Sequence, residues 1–396
     1  MKKQSVIILF GFKMVIKAAK KAGLNTINIL LSSMVGLYNK TVDISDMTIT
    51  LNELDDIEKV VKNLITEFDV VAVTSFTDTN DAVLRAAQLN ERYISENVFA
   101  TSNAVRTLHD KFATRKMLDK LGMRNVKYDL VDTQEKAEEF FDEYGKMVLK
   151  PFDGQASKGV KIITERKQIS AYIDKWKDNT FIAETVLDGK EYSVESITVN
   201  KKTYIVGVTE KLKIEENDMG HNPLVEKGHV FPAVIDNKIL MEIQKYITMI
   251  FDNLDVMNIV GHSEIIITKE GPVLVESHIR CGGDCIPEIV CIATDFNMYE
   301  MHFRSMLKQI KDVHIDYHGR ACIEYLILKQ GKLVAFNQDI SDERIVKNRL
   351  TLKPEMTINA IENSFDRTCG HIICKDESDP KKVADEIFDS LHLTME

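Results

Sequence analysis

Several devices that would mark a special class of protein are missing from this sequence. It has six cysteines in 396 residues, at 281, 285, 291, 322, 369 and 374, and no two form a C-x-x-C pair. A disulfide-stapled scaffold and a paired zinc site are therefore excluded, and a reduced protein with buried thiols is expected. Cys281, Cys285 and Cys291 lie close in sequence, but no second ligand set matches them, so ordinary buried or loop thiols are expected rather than a metal site. No apolar run approaches the ~20 residues of a membrane span. Lys13 cuts short the apolar run near the start and no small-residue cleavage site follows, so the opening reads as a first strand and not a secretory signal. The expected location is the cytoplasm.

A basic excess is also missing. Lys and Arg total 51 against 61 Asp and Glu, a net charge of −10. Neither nucleic acid nor a membrane is an expected partner, and any anionic ligand must be held by a local site. There is no internal repeat or Pro/Ser-rich linker, and with 7 prolines the domains should be joined closely. The first βα turn lacks G-x-G-x-x-G, and no G-x-x-x-x-G-K-[ST], G-x-S-x-G or H-E-x-x-H occurs. These absences remove the dinucleotide fingerprint, the Walker-type phosphate loop, the hydrolase elbow and the zinc-protease helix.

What is present is the balance of an ordinary globular chain, with 44% apolar and 28% charged residues. At roughly 100–200 residues per domain, two or three domains are expected. Apolar runs at 6–10, 27–31 and 70–74 alternate with helical spacing at 13–22, 54–68, after Asn80 and at 102–121. That alternation predicts a parallel α/β domain over 1–124. Over 125–188, strands at 126–130, 147–150, 160–163 and 181–186 enclose helices at 134–144 and 168–176, the rhythm of a small α+β domain. The remainder, 189–396, opens with long strands at 190–199 and 203–209 and a polar loop at 215–229. A helix at 237–251 and two strands around Gly271-Pro272 follow.

Three constellations carry chemistry. The first is K-P-F-D-G-Q-A-S-K-G-V, 150–160, between two apolar strands. Its small residues let backbone N–H groups approach anionic oxygens, with Lys150 and Lys158 beside them; a hairpin loop with two solvated lysines is the plainer alternative. The second is Glu264 and Glu276, symmetric about Glu270. A hairpin with an odd-length loop would place them opposite each other on one face, where two carboxylates repel unless a cation sits between them. Mg²⁺ commonly joins protein carboxylates to phosphates, and alternation would bring His278 and Arg280 to the same side. A charged solvent face is the alternative. The third is E-T-V-L-D-G-K-E-Y-S-V-E, 184–195, where Glu191, Ser193 and Glu195 share a face, which alone suggests only a polar strand.

In this order the three constellations resemble the ATP-grasp superfamily of ATP-dependent carboxylate–amine ligases, over nearly the whole chain. D-K-F-A-T-R at 110–115 is similar to the first nucleotide lysine segment, and 150–160 to the second lysine with its phosphate loop. E-T-V-L at 184–187 is similar to the adenine hinge. The tail I-R-C-G-G-D, R-A-C-I-E-Y-L and S-F-D-R-T-C-G-H-I-I resembles the branch containing bacterial L-amino-acid ligases such as the bacilysin-type dipeptide synthase. Two departures stand out. His278 occupies the position, two residues after the second metal carboxylate, where most members carry an Asn that the bacilysin-type enzymes also lack, and Ala156 replaces a common Gly.

The resemblance implies an ATP-grasp fold with an N-terminal parallel α/β domain, a small α+β lid at 125–188 and a larger antiparallel-sheet catalytic domain at 189–396. It implies ATP binding by Lys111, Lys150, Gly154, Ser157, Lys158, Gly159, Val160, Glu184, Val186, Leu187 and Glu191. Mg²⁺, with Mn²⁺ as a substitute, would be held by Glu264, Glu276 and His278. Arg280 and Lys150 would be catalytic, and His229, Arg280 and Gly283 would face small carboxylate and amine substrates. His229, read from the sequence alone, is a loop histidine. The implied reaction forms an amide through an acylphosphate and releases ADP and phosphate. A carboxylase or purine-pathway ligase with another acceptor, or a non-catalytic nucleotide-binding regulator, is the alternative, and a homodimer is expected by analogy.

Overall fold

The computed structural model describes residues 3–96, 98–152, 159–176, 179–214, 220–337 and 340–396. The chain opens with β1 (Gln4–Leu9), α1 (Lys13–Lys21), β2 (Asn25–Leu31), α2 (Val35–Val42), β3 (Met47–Leu51), α3 (Asp56–Glu67), β4 (Asp69–Thr74) and α4 (Ala82–Tyr93). The strands form a parallel sheet in the order β3-β2-β1-β4. From Val6 onward β1 is apolar and buried because both its faces are covered, as is usual for parallel sheets. Ile7 and Leu9 pack with Ile57, Val61 and Leu64 of α3, while Val6 and Ile8 pack with Val15 and Ile16 of α1.

The single helix expected over 102–121 is two: α5 (Ser102–His109) and α6 (Lys111–Lys120). Asp110 breaks them apart. Its backbone is extended, and its side chain accepts the Ala113 N–H, an N-cap that starts a new helix at Lys111.

A second, antiparallel sheet follows, from β5 (Tyr128–Val131), α7 (Gln134–Tyr144), β6 (Met147–Pro151), β7 (Lys161–Ile163), α8 (Gln168–Lys175) and β8 (Phe181–Thr185). Its order is β5-β8-β6-β7. Its core, including Val131, Phe140, Leu149, Ile169 and Phe181, draws, among the described residues, no buried residue from the rest of the chain.

The remaining elements are β9 (Lys190–Val199), β10 (Lys202–Lys213), β11 (Glu226–Phe231), α9 (Asn237–Asp252), β12 (Ile259–Thr268), β13 (Gly271–His278), α10 (Ile286–Thr294), α11 (Met298–Met306), β14 (Arg320–Tyr325), β15 (Gly331–Ala335), β16 (Ile345–Leu350), β17 (Met356–Ile358), β18 (Gly370–Asp376), α12 (Pro380–Ser390) and β19 (Thr394–Met395). Eight strands make one antiparallel sheet, β13-β12-β9-β10-β11-β14-β18-β16, and β17-β15-β19 make a small third one beside it. The loop expected at 215–229 is shorter, because its last residues form β11, paired between β10 and β14. Among the described residues no helix is long and apolar enough to cross a membrane.

β9 shows how this sheet positions a site. Tyr192 and Val194 face Ile243, Ile247 and Ile250 of α9. The opposite face begins polar, with Glu191, Ser193 and Glu195, and then turns apolar at Ile197 and Val199, which join the core shared with β1 and α1. One strand thus anchors the first domain at one end and presents charges at the other.

Candidate active site

The polar end of that face is assembled from adjacent strands. Glu264 on β12 stands opposite Glu276 on β13 and Ser193 on β9, and His262 stands opposite His278 and Glu195. The carboxylates face each other by a different route from the odd-length loop expected. Thr268 pairs with Gly271 across a two-residue turn, and a bulge between Glu264 and Ile265 supplies the odd residue.

Positive groups compensate both acids. Burial by itself would raise the pKa of each, but Lys211 and His262 hold the Glu264 carboxyl well below its usual range. Burial and the Glu264 charge also push Glu276 upward, yet His278 and Lys111 bring it down to about 2. Lys211 lies 2.7 Å from Glu264, and its buried ammonium also meets Glu191 at 2.7 Å and Glu226 at 3.1 Å. Lys213 adds a second contact to Glu191, at 2.5 Å. The Glu191 carboxylate, implied to bind ATP, is therefore engaged by two lysines.

Among the described residues no group of three or more His, Cys, Asp or Glu side chains converges as a metal centre. The six cysteines are free thiols, four of them buried. His278 is turned onto its neighbours, with Nε2 3.2 Å from Glu276 and Nδ1 3.9 Å from Asp78. The opposed carboxylates nevertheless suit Mg²⁺, which ordinarily takes one or two protein carboxylates and fills its octahedron with phosphate oxygens and water.

Beside this pair lies a second buried cluster. Lys150, at the end of β6, donates to Glu184 at 2.7 Å, and Arg115 of α6 donates to the other oxygen at 2.8 Å. Arg115 also donates to the carbonyls of Leu274 at 2.5 Å and Val275 at 3.1 Å. Burial works against the Glu184 charge, but Arg115 and Lys150 bring that carboxyl down to about 2. The Glu184 side chain thus points into the ion cluster. Val186 and Leu187, just beyond β8, are exposed and half-buried respectively. Lys111 opens α6, and its charge is felt at both Lys150 and Glu276.

Of the expected phosphate-loop residues, Gly154, Ser157 and Lys158 lie outside the described residues. Gly159 adopts φ +78°, and a Cβ there would come within 2.7 Å of the Pro151 ring. Val160 next to it is half-buried.

Arg280 extends from the end of β13 to Asp78, in the loop after β4, with contacts of 2.5 and 2.6 Å, and donates to the Cys281 carbonyl at 2.9 Å. Asp78, Asp81, His109 and His278 rim a small pocket whose apolar wall includes Val83 and Leu108. His229 lies in β11 and is buried, which corrects its reading as a loop residue. Its Nε2 is 3.4 Å from Asp284, while its Nδ1 has no hydrogen-bond partner among the described residues. Arg367 grips both Asp284 oxygens at 2.8 Å and stacks over Tyr325. Gly283 borders open space.

Lys111, Lys150, Glu264, Glu276, His278 and Arg280 are thus brought to neighbouring positions. Sequence reasoning missed Lys211, Arg115, Asp78, Asp284 and Arg367. Lys211 had a local signal, since the hairpin of β9 and β10 carries it back beside Glu191. Arg115 lay within the quoted D-K-F-A-T-R segment. Asp284 and Arg367 lay within the segments I-R-C-G-G-D and S-F-D-R-T-C-G-H-I-I without being singled out, whereas Asp78 reaches the site through a long-range contact and left no local signal.

Residues 108–283 match the family model of the ATP-grasp domain. Comparison with curated proteins returns no significant match. Among solved structures, the L-amino acid ligase from Bacillus licheniformis is similar over 100% of both chains, with a TM-score of 0.79 and 17% identity. Phosphoribosylglycinamide synthetase from Anaerococcus prevotii is similar over 100% of both chains, with a TM-score of 0.71 and 17% identity. N5-carboxyaminoimidazole synthetase from Staphylococcus aureus, solved with ADP, aligns over 98% of this chain and 97% of its own, with a TM-score of 0.71 and 15% identity. At such identities the likeness speaks for the fold. The chain has the ATP-grasp fold, and its residues 108–283 are an ATP-grasp domain.

Proposed function

We propose that the protein is an ATP-dependent carboxylate–amine ligase, which forms an amide or peptide bond through an acylphosphate and acts on an amino acid or similar small carboxylate. The observation that carries this reading is the cross-strand pair Glu264–Glu276 inside an ATP-grasp domain, flanked by Lys150 and Arg280. The ADP bound by the Staphylococcus aureus synthetase supports a nucleotide as ligand.

In this reading residues 1–124, 125–188 and 189–396 are the N-terminal, nucleotide-covering and catalytic portions. Lys111, Lys150 and the backbone around Gly154, Ser157, Lys158, Gly159 and Val160 hold phosphates. Glu184, Val186 and Leu187 border the adenine, and Glu191 borders the ribose. Glu264 and Glu276, with His278 beside them, hold Mg²⁺, which when bound neutralises charge on the transferring phosphoryl group. The substrate carboxylate attacks the γ-phosphoryl group, and ADP leaves. The amine then attacks the acyl carbon and phosphate departs, with the Arg280 guanidinium stabilising the oxyanion. His229 and Gly283 border the substrate.

The test is ADP release by purified protein with ATP, Mg²⁺ and pooled amino acids, then bicarbonate and ribosylamine-type acceptors. Substrate-dependent ADP release with amino acids and a product of matching mass supports the reading. ADP formation no faster than enzyme-free hydrolysis across the whole panel overturns it.

A further inference from the structure

Glu195 and His262 have no part in the roles assigned above, yet they occupy the centre of the polar face. They are directly opposed across β9 and β12; Glu195 is wholly buried and His262 is 5% exposed. The imidazole Nδ1–H donates to Glu195 Oε1 at 2.6 Å, and Nε2 lies 3.6 Å from Glu264 Oε1. One flank of the ring runs nearly parallel to His278, at a centroid distance of 6.4 Å. Gly282 lies close against the ring, where a Cβ would come within 2.7 Å of Nδ1.

Stability alone is a poor reason to keep this pair. A buried charged pair usually stabilises no better than apolar residues of similar volume, and two positions further along the same face β9 carries Ile197. One Glu195 oxygen, Oε2, is buried without a hydrogen-bond partner among the described residues, an added cost. The geometry at Glu264 suggests what offsets it. Lys211 and His262 both approach the same oxygen, Oε1. The carboxylate is fixed from one side, and Oε2 remains for a cation shared with Glu276. The close fit of Gly282 on the ring seats the turn that joins Arg280 to Asp284.

We infer that Glu195 and His262 are a positioning pair: they orient Glu264 for the metal–phosphate group and hold the 281–283 turn against the sheet so that Arg280 faces the same group. The inference rests on the ligase reading and reaches beyond it, because outer partners of metal ligands commonly change metal affinity 10–100-fold.

The test is calorimetric binding of ADP with and without Mg²⁺ to the full chain, beside thermal melting, for Glu195→Gln, His262→Leu and His262→Gln. The expected result is a lowered melting temperature, because each variant strands a buried partner, with unchanged metal-free ADP binding and Mg²⁺-dependent ADP binding weakened about 10–100-fold in the folded variants. His262→Gln, whose amide can reach Glu264, should recover part of the loss. If a charge-removing variant does not fold, Gly282→Ala, which displaces the ring, should give the same signature. Unchanged Mg²⁺ dependence in folded variants, or parallel loss of metal-free binding, overturns the inference and leaves the ligase reading standing. A parent protein that binds no Mg²⁺–ADP overturns both.

Discussion

The Lys211 ammonium lies 2.7 Å from Glu264, the carboxylate that faces Glu276 across the strands, and it carries Glu191 and Glu226 on its other sides. One buried cation thus prevents three acids from repelling one another. Lys211→Met should destabilise the fold by about 3–5 kcal/mol, the usual result of stranding a buried partner. Urea unfolding at pH 7 measures this, and Mg²⁺ should restore part of the loss. A change below about 1 kcal/mol would mean that the carboxylates find other partners.

Asp78, in the loop after β4, holds the Arg280 guanidinium at 2.5 Å. Asp78→Asn should lower kcat by roughly tenfold to a hundredfold while leaving the KM for ATP nearly unchanged, because misplacing a catalytic group costs rate rather than nucleotide binding. Steady-state kinetics with ATP varied at saturating co-substrate would show it. An unchanged kcat would remove Asp78 from the site.

Glu184 joins Lys150 and Arg115, and its carboxyl is brought down to about 2 from an ordinary 4.5. The folded value lies below the unfolded one. Its stabilising contribution is therefore complete above pH 4.5 and is lost as pH falls through 2. Glu184→Gln should remove about 3 kcal/mol at pH 7, with the deficit shrinking toward pH 2. Urea unfolding at pH 7 and pH 3 distinguishes this from a pH-independent packing loss.

Glu324 behaves in the opposite sense. It is buried on β14 with Oε2 unpartnered among the described residues, and burial raises its carboxyl to about 7. Here the folded value exceeds the unfolded one, so stability is greatest below pH 4.5 and falls as pH rises through 7. Glu324→Gln should match the parent near pH 4.5 and exceed it by roughly 2–3 kcal/mol at pH 8. Equal stability of the two proteins at pH 8 would refute the assignment.

The parts of the fold that could be read from the sequence were those with strong periodicity. β9 appears over 190–199 as expected, and α7 over 134–144. Asp110 was less visible, since helical spacing runs through it on both sides and only its extended backbone separates α5 from α6. β3 and α2 were also missed: β3 is half-exposed, and its Met-Thr-Ile-Thr-Leu pattern is short. At the site, the facing of Glu264 and Glu276 could be inferred from their symmetry, but the bulge that produces it could not, because a bulge is a property of pairing and leaves no residue signature here. Lys150 could be identified through its motif. Arg115, which shares the Glu184 carboxylate with it, is 35 residues away in the sequence, on another element, and its role becomes apparent only when both guanidinium edges are seen in contact.

That guanidinium has a mechanical consequence. One side of Arg115 holds Glu184 in the small sheet, and the other holds the Leu274 and Val275 carbonyls in the large one. The small sheet also has a separate core. Arg115 therefore ties the two sheets together, and a movement of one against the other would have to turn about this one buried side chain or break its hydrogen bonds to both.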